Sequence, residues 1–310
     1  MRNIKIIGCG NALPKNKVMF GNQERYRLTA EQNLLDLVEV AVKNALTDAN
    51  LTMDDIDCIV GGMATPLQGI PCNAALIHER IANNNTDIPA MDINTSCTSF
   101  LTALDIVAYM IDCERYRNVL IVSGDTASAA LNPNQKESYE LFSDAATAFI
   151  VTKSDGDSGV IYSAQKTWSA GVHDTEIRGG CGLMPAFVMT DENREDYYFD
   201  MKGKKVLRLC AKKLPAFFED CFYKANVAQN QIDIAIPHQA SRALRMIMSK
   251  LGFKEDDYID EVSKYGNMIS ASIPFILCEA IHKGRVKRGD IVLLMGTAAG
   301  LTANFLLLKY

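Results

Sequence analysis

Apolar positions along the chain follow two rhythms, and their alternation predicts strands and helices in turn. Short apolar runs at 4–7, 56–60, 117–124 and 159–162 read as strands. Between them, Leu34, Leu35, Leu37, Val38, Ala41, Val42, Ala45 and Leu46 keep a helical spacing that predicts one amphipathic helix over 31–50. A second helix is predicted at about 73–82. A third follows a tight corner at 95–97, where Phe100, Leu101, Leu104, Ile106 and Val107 carry the rhythm on towards Asp112. Residues 15–30 are polar and irregular and read as a surface loop. The stretch from 165 to 200 is the least patterned and holds the sole tryptophan, Trp168.

From about residue 203 the organisation repeats. Residues 49–57 match 225–233 at an offset of 176, and residues 119–124 match 291–296 at an offset of 172. Strands that are apolar throughout and alternate with helices indicate parallel or mixed sheets covered on both faces. An α/β protein of two similar halves is therefore expected, with boundaries at 1–160 and 161–310. Carried forward, the offset pairs the corner at Cys97 with the one near Tyr265, Gly266 and Asn267, so that Cys97 and Asn267 should face each other across a pseudo-twofold axis.

Composition narrows the class of protein. In 310 residues, 48% are hydrophobic and 22% charged, and the net charge of -5 speaks against a general nucleic-acid binder. The nine cysteines are scattered without a CxxC pair or a Cys/His set at zinc-finger spacing, so reduced thiols and no metal site are expected. No run approaches the roughly 20 apolar residues that span a bilayer, and the N-terminus reads as a sheet edge rather than a secretory signal. A cytoplasmic protein without membrane association is the expectation. Gly8-Cys9-Gly10 lacks the third glycine of a dinucleotide fingerprint, and no helix is predicted to open there.

Three stretches carry candidate chemistry, each at the carboxyl end of a predicted strand, where open α/β sheets place their sites. Thr95-Ser96-Cys97 puts a thiol at a helix start, where backbone N–H groups and the helix dipole favour a thiolate. Pro237-His238-Gln239-Ala240 ends a buried strand on an imidazole. Gly266-Asn267-Met268-Ile269-Ser270-Ala271-Ser272-Ile273-Pro274 opens an apolar helix after a glycine-asparagine turn.

With the C-terminal turn Gly296-Thr297-Ala298-Ala299-Gly300-Leu301-Thr302, these stretches resemble the β-ketoacyl-acyl carrier protein synthase III family of the thiolase superfamily, in order and spacing, over nearly the whole chain. The resemblance implies a thiolase-like duplicated αβαβα five-layer fold and an acyltransferase. Cys97 would be the nucleophile that takes an acyl group from a thioester. His238 and Asn267 would bind the carbonyl of a malonyl thioester as decarboxylation turns it into an enolate. The backbone N–H groups of Cys97 and Gly300 would form the oxyanion hole. It also implies a homodimer, and no cofactor beyond the acyl-coenzyme A or acyl-carrier and malonyl thioesters themselves. Ile70 and Leu301 are expected to line the substrate pocket, and Arg208, Lys212, Arg242 and Arg245, on helices flanking the motifs, to dock an acidic acyl carrier protein.

The chain departs from the family's priming members in places. Residues 15–30 contain no tryptophan, Met19 stands where an arginine is expected, and only Arg25 and Arg27 remain nearby. A carrier-protein thioester is thus an alternative to coenzyme A as acyl donor. Ile70 stands in the place of a bulky aromatic, which implies a longer or differently shaped pocket. Two other activities compete: transfer of the Cys97-bound acyl group to an oxygen or nitrogen nucleophile, and an inactive scaffold subunit paired with an active partner.

Overall fold

The computed structural model describes residues 1–82 and 87–310. The chain opens with strand β1 (Ile4–Ala12), the hairpin β2 (Lys17–Phe20) and β3 (Gln23–Tyr26), and helix α1 (Leu34–Ala49). Strand β4 (Cys58–Gly61), helix α2 (Asn73–Ile81), strand β5 (Ala90–Asp92) and helix α3 (Ser99–Asp112) follow. Then come β6 (Asn118–Asp125), the single turn α4 (Lys136–Tyr139), β7 (Ala145–Lys153) and β8 (Gly159–Thr167). A small pair, β9 (Thr175–Glu176) and β10 (Asp200–Met201), brackets the unpatterned stretch. Helix α5 (Gly203–Ala225), β11 (Ile234–Pro237), α6 (Leu244–Lys250) and α7 (Val262–Tyr265) lead to α8 (Ser272–His282), β12 (Ile291–Ala298) and β13 (Thr302–Lys309).

Two mixed sheets result, with strand orders β1-β7-β6-β4-β5 and β11-β12-β13-β8. Reading each from a parallel pair, β4 with β6 and β11 with β12, the next two neighbours are antiparallel in both. The duplication expected from the offset is therefore a duplication of topology. Its local marks are equally clear: α1 and α5 both end on a left-handed asparagine, Asn50 at φ 53° and Asn226 at φ 52°.

Strand alternation sorts the core into three layers. Odd and even residues of the first sheet face opposite ways: Val60, Val119 and Ile121 pack on α3 and α8, whereas Ile59, Leu120 and Val122 pack under α1 and α2. In the second sheet, Ile236, Val292 and Leu294 join the central cluster, and Ala235, Leu293 and Phe305 meet the side chains of α5 and α6. Helices α3 and α8 are enclosed between sheets, giving the five-layer αβαβα arrangement.

Two local expectations are corrected. Residues 17–26 form a hairpin rather than an irregular loop, because the alternation of Lys17, Val18, Met19 and Phe20 is a strand pattern too short to stand out. Gly8, Cys9 and Gly10 lie inside β1 instead of ending it. A Cβ on Gly10 would lie 2.2 Å from the Ala41 carbonyl oxygen, so these glycines let α1 lie directly on the strand.

Candidate active site

Cys97 lies in a single 3-10 turn, Ser96–Thr98, between β5 and α3. The corner is tight because Ser96 takes a left-handed φ of 56° while its amide donates to Asn94 Oδ1 at 2.8 Å. The Thr95 amide donates to Ser99 Oγ at 2.9 Å. The second half repeats this corner bond for bond. Ile269 takes φ 50°, its amide donates to Asn267 Oδ1 at 2.8 Å, and the Met268 amide donates to Ser272 Oγ at 2.8 Å. Asn94 and Asn267 also donate to equivalent carbonyls, those of Ala64 and Ala240, at 2.9 and 3.4 Å.

The internal correspondence therefore differs from the one expected. Asn267 is the counterpart of Asn94, and the residue opposite Cys97 is Ser270. At these corners the offset is 173, whereas pairing Cys97 with Asn267 takes 170, so the expected partner fell three residues short. Ser270 donates from its amide, and Ser270 Oγ hydrogen-bonds, to Asp125 Oδ2 at the end of β6. The other oxygen of Asp125 accepts from Thr65 and from the Ala64 amide. One buried carboxylate thus ties together the turns after β4, β6 and the second corner.

His238 is placed by β11, whose end fixes its amide on the Met295 carbonyl at 2.8 Å. Its side chain is buried, and Nδ1 has no hydrogen-bond partner among the described residues. A Cβ on Gly296 would lie 2.8 Å from His238 Cβ and 3.3 Å from Thr98 Cγ2, so this glycine lets the histidine and the cysteine corner close on each other. The backbone of Asn267 is gripped by the segment before β7: its amide donates to the Leu141 carbonyl at 3.0 Å and its carbonyl accepts from Ser143 at 2.9 Å.

Burial decides the charge state of the site. It pushes the Cys97 thiol up to about 11, against hydrogen bonds from Ser96 and from the amides of Ala299 and Cys97 itself, and the Asp125 carboxylate adds to the rise. Burial also pulls His238 down to about 4. The thiolate expected from the helix dipole is thus overturned in the resting protein. The short 3-10 turn supplies a few donors, and desolvation outweighs them. What the site holds at neutral pH is a thiol and a neutral imidazole.

Cys97, His238, Asn267, Gly300 and Leu301 all line one cavity, with about 980 Å³ of space including its mouth. Its walls are mostly apolar: Phe142, Phe199, Val206, Leu209 and Ile269 among them. The Gly300 turn closes β12 onto β13 at φ 131°, a conformation that favours glycine, and is pinned to Trp168 through the Leu301 backbone at 2.8 and 3.2 Å. The amide of Ala299, next to Gly300 in this turn, reaches the Cys97 sulfur. Residues 174–177, from the unpatterned stretch, form part of the wall. Neither they nor Asp125 carried a spacing signal in the sequence.

Other expected residues lie elsewhere. Ile70 is 86% exposed and does not line this chain's cavity, because the loop that carries it runs over the surface. Arg242 sits in the turn before α6 rather than on a helix, and pairs with Glu140 at 3.4 Å. Arg245 is held by Glu255 and Asp260 at 2.8 and 3.1 Å. Arg208 and Lys212 are exposed on α5 without an ion pair among the described residues. Arg25 is fully buried: its guanidinium donates to the carbonyls of Glu140, Glu24 and Ser263 and packs against Gly266, so it props the Asn267 corner. Among the described residues, the one cluster of three metal-ligating side chains, Cys9, Cys278 and His282, includes no residue of the cavity.

Comparison with known proteins places the chain. A family profile described as 3-oxoacyl-[acyl-carrier-protein] synthase III matches residues 91–168, and its C-terminal counterpart matches residues 222–310. The β-ketoacyl-[acyl-carrier-protein] synthase III of Clostridium perfringens is 32% identical, covering all of both chains. The crystal structure of the Aquifex aeolicus 3-oxoacyl-[acyl-carrier-protein] synthase III superposes with a TM-score of 0.86 at 28% identity, over 99% of this chain and 100% of that one. That of the Thermus thermophilus synthase III gives 0.87 at 22% identity, over 98% of each chain, a likeness of fold.

Proposed function

As a member of the 3-oxoacyl-[acyl-carrier-protein] synthase III family the chain is an acyltransferase of the condensing type, and we propose that it loads an acyl group on Cys97 and joins it to a malonyl thioester with loss of carbon dioxide. The observation that carries this reading is the meeting of Cys97, His238 and Asn267 on one apolar cavity, with a buried imidazole nitrogen left unpartnered among the described residues.

The chemistry divides between the halves. In the first stage the Cys97 sulfur bonds to the acyl carbonyl carbon as the donor's C–S bond breaks, and the thiol proton leaves with the donor thiol. A thioester so formed is both stable enough to wait and reactive enough to discharge. Negative charge on the carbonyl oxygen during attack would meet the amides of Cys97 and Gly300. In the second stage the malonyl carboxylate departs as carbon dioxide, leaving an enolate whose carbon attacks the acyl thioester. The Cys97 sulfur leaves and takes up a proton. The enolate oxygen needs donors where charge develops, and a neutral imidazole N–H and an amide N–H of Asn267 would supply two. A neutral His238 suits this role, because it stabilises the charge without giving up its proton. Each step moves acyl groups, protons or carbon dioxide, with no net oxidation, so the reaction calls for no redox cofactor or metal.

We assign the functional units to residues 1–160, with the nucleophile, and 161–310, with the enolate-binding pair. Acyl carrier protein or coenzyme A would present the substrates, with Arg208 and Lys212 the freer of the basic groups to meet an acidic carrier. A homodimer would bring Ile70 of the partner subunit near the mouth of the cavity, and the unpaired edge of β5 is a surface on which two first halves could join. The test is product analysis with acyl donors on coenzyme A and on carrier protein, with and without malonyl thioester. A β-ketoacyl product that appears only with the malonyl donor is expected. Acyl transfer to an oxygen or nitrogen acceptor regardless of malonyl donor would overturn the condensing role.

A further inference from the structure

A second cluster of reactive side chains lies away from the cavity, where β1, α1 and α8 meet. Cys9 of β1 and Cys278 of α8 are both buried, at 1% and 0% exposure. His282 stands four residues after Cys278, on the same face of the helix. The ligand atoms of these three residues lie within 4.8 Å of one another. Cys9 Sγ is 3.7 Å and Asp48 Oδ2 of α1 is 3.5 Å from His282 Nε2, and Cys278 Sγ is 3.8 Å from Nδ1. Asp48 is itself steadied by the Cys9 amide, which donates to Oδ2 at 3.0 Å.

We propose that Cys9, Cys278, His282 and Asp48 form a structural site for a borderline-soft divalent cation, zinc(II) above all. Two sulfurs, one imidazole nitrogen and one carboxylate oxygen make up a tetrahedral zinc set. With zinc bonds of about 2.3 Å to sulfur and 2.0–2.2 Å to nitrogen and oxygen, tetrahedral ligand atoms sit about 3.4–3.8 Å apart. The Cys9–His282 and His282–Asp48 separations already meet that spacing, the Cys278 sulfur lies within 4.8 Å of the Cys9 and His282 ligand atoms, and Asp48, outside that group of three, completes the set by closing on the ion. Zinc would replace both thiol protons, which pass to solvent as the two Zn–S bonds form. The half-exposed imidazole gives the ion an entry. No residue here serves the acyl chemistry. The consequence is mechanical: the cation would clamp the first sheet and α1 to the far end of α8, the helix that begins at the Asn267 corner. Ligands drawn from residues 9, 48, 278 and 282 leave no spacing in the sequence, which is why no metal was expected there.

The test uses the full chain carrying Cys97→Ala, so that the cavity thiol does not compete. Titration of the reduced protein with cobalt(II) should give a thiolate-to-cobalt charge-transfer band and the visible bands of a tetrahedral site, complete at one equivalent and bleached by zinc. His282→Ala, at a half-exposed position and with its fold checked by circular dichroism, should weaken zinc binding by more than about 100-fold, beyond the loss expected of an outer partner. Zinc should raise the unfolding temperature of the protein and fail to do so in His282→Ala. Folded protein that gives no sulfur band, or zinc affinity unchanged in His282→Ala, would overturn the site. So would a loss of two protons in mass, mapped to the Cys9 and Cys278 peptides, in protein purified with excess zinc, because the thiols would then be a disulfide.

Discussion

Burial holds His238 neutral, and that neutrality has a cost that can be measured. On unfolding, the imidazole regains its ordinary value near 6.5, whereas the folded form takes a proton only at about 4. Between those values the unfolded chain holds the extra proton, so stability falls as pH drops through this window, by at most about 3 kcal/mol. In His238→Gln this part of the acid limb should vanish in urea titrations run from pH 7 to 4; an unchanged limb would mean that the imidazole is not desolvated. The division of labour is a separate prediction. Replacing His238 or Asn267 by alanine should slow condensation on the order of 100- to 1000-fold, while acylation of Cys97, followed by mass, stays near the wild-type rate. Equal loss of both steps would assign these residues to loading instead. Cys97, His238 and Asn267 were legible in the sequence because each sits in a motif that resembles one of the family's. Asp125 and Arg25 were not. Their hydrogen bonds reach residues far off in the chain, and a lone aspartate or arginine has no rhythm.

Elements repeat, and where the repeat breaks the chemistry sits. The two corners share their asparagine, their left-handed residue and their capping serine, yet Cys97 in one half is Ser270 in the other. His238 follows β11, and the equivalent position after β4 is Gly62. The first half therefore carries the cysteine without the histidine, the second carries His238 and Asn267 without the cysteine, and packing the halves back to back completes the site. Strand and helix spacing disclosed the repeat over the long elements, where apolar residues recur many times. It failed at 17–26 and 165–200, where strands of two to four residues leave too few positions to define a period. The close seating of α1 on β1 offers a test at this scale. Gly10→Ala should destabilise the protein by about 1–3 kcal/mol in urea unfolding, since its Cβ would meet the Ala41 carbonyl at 2.2 Å. A neutral outcome would show that α1 can shift outward without loss.

At the scale of the molecule, the fold is a device for bringing two strand ends to one cavity from opposite sides. The apolar walls suit an acyl chain, and the site at the mouth holds no net charge from Cys97 or His238 until a thioester arrives. Departures around 15–30 alter the surface that would receive a donor and leave this interior intact. Its central chemical event is the appearance of an acyl group on one sulfur among nine. Intact-protein mass spectrometry after incubation with a panel of acyl-coenzyme A and acyl-carrier thioesters, with peptide mapping, tests it most directly. A single acyl adduct on Cys97, absent in Cys97→Ala and discharged when malonyl thioester is added, is the predicted result. No adduct with any donor, or an adduct that persists undiminished in Cys97→Ala, would contradict it.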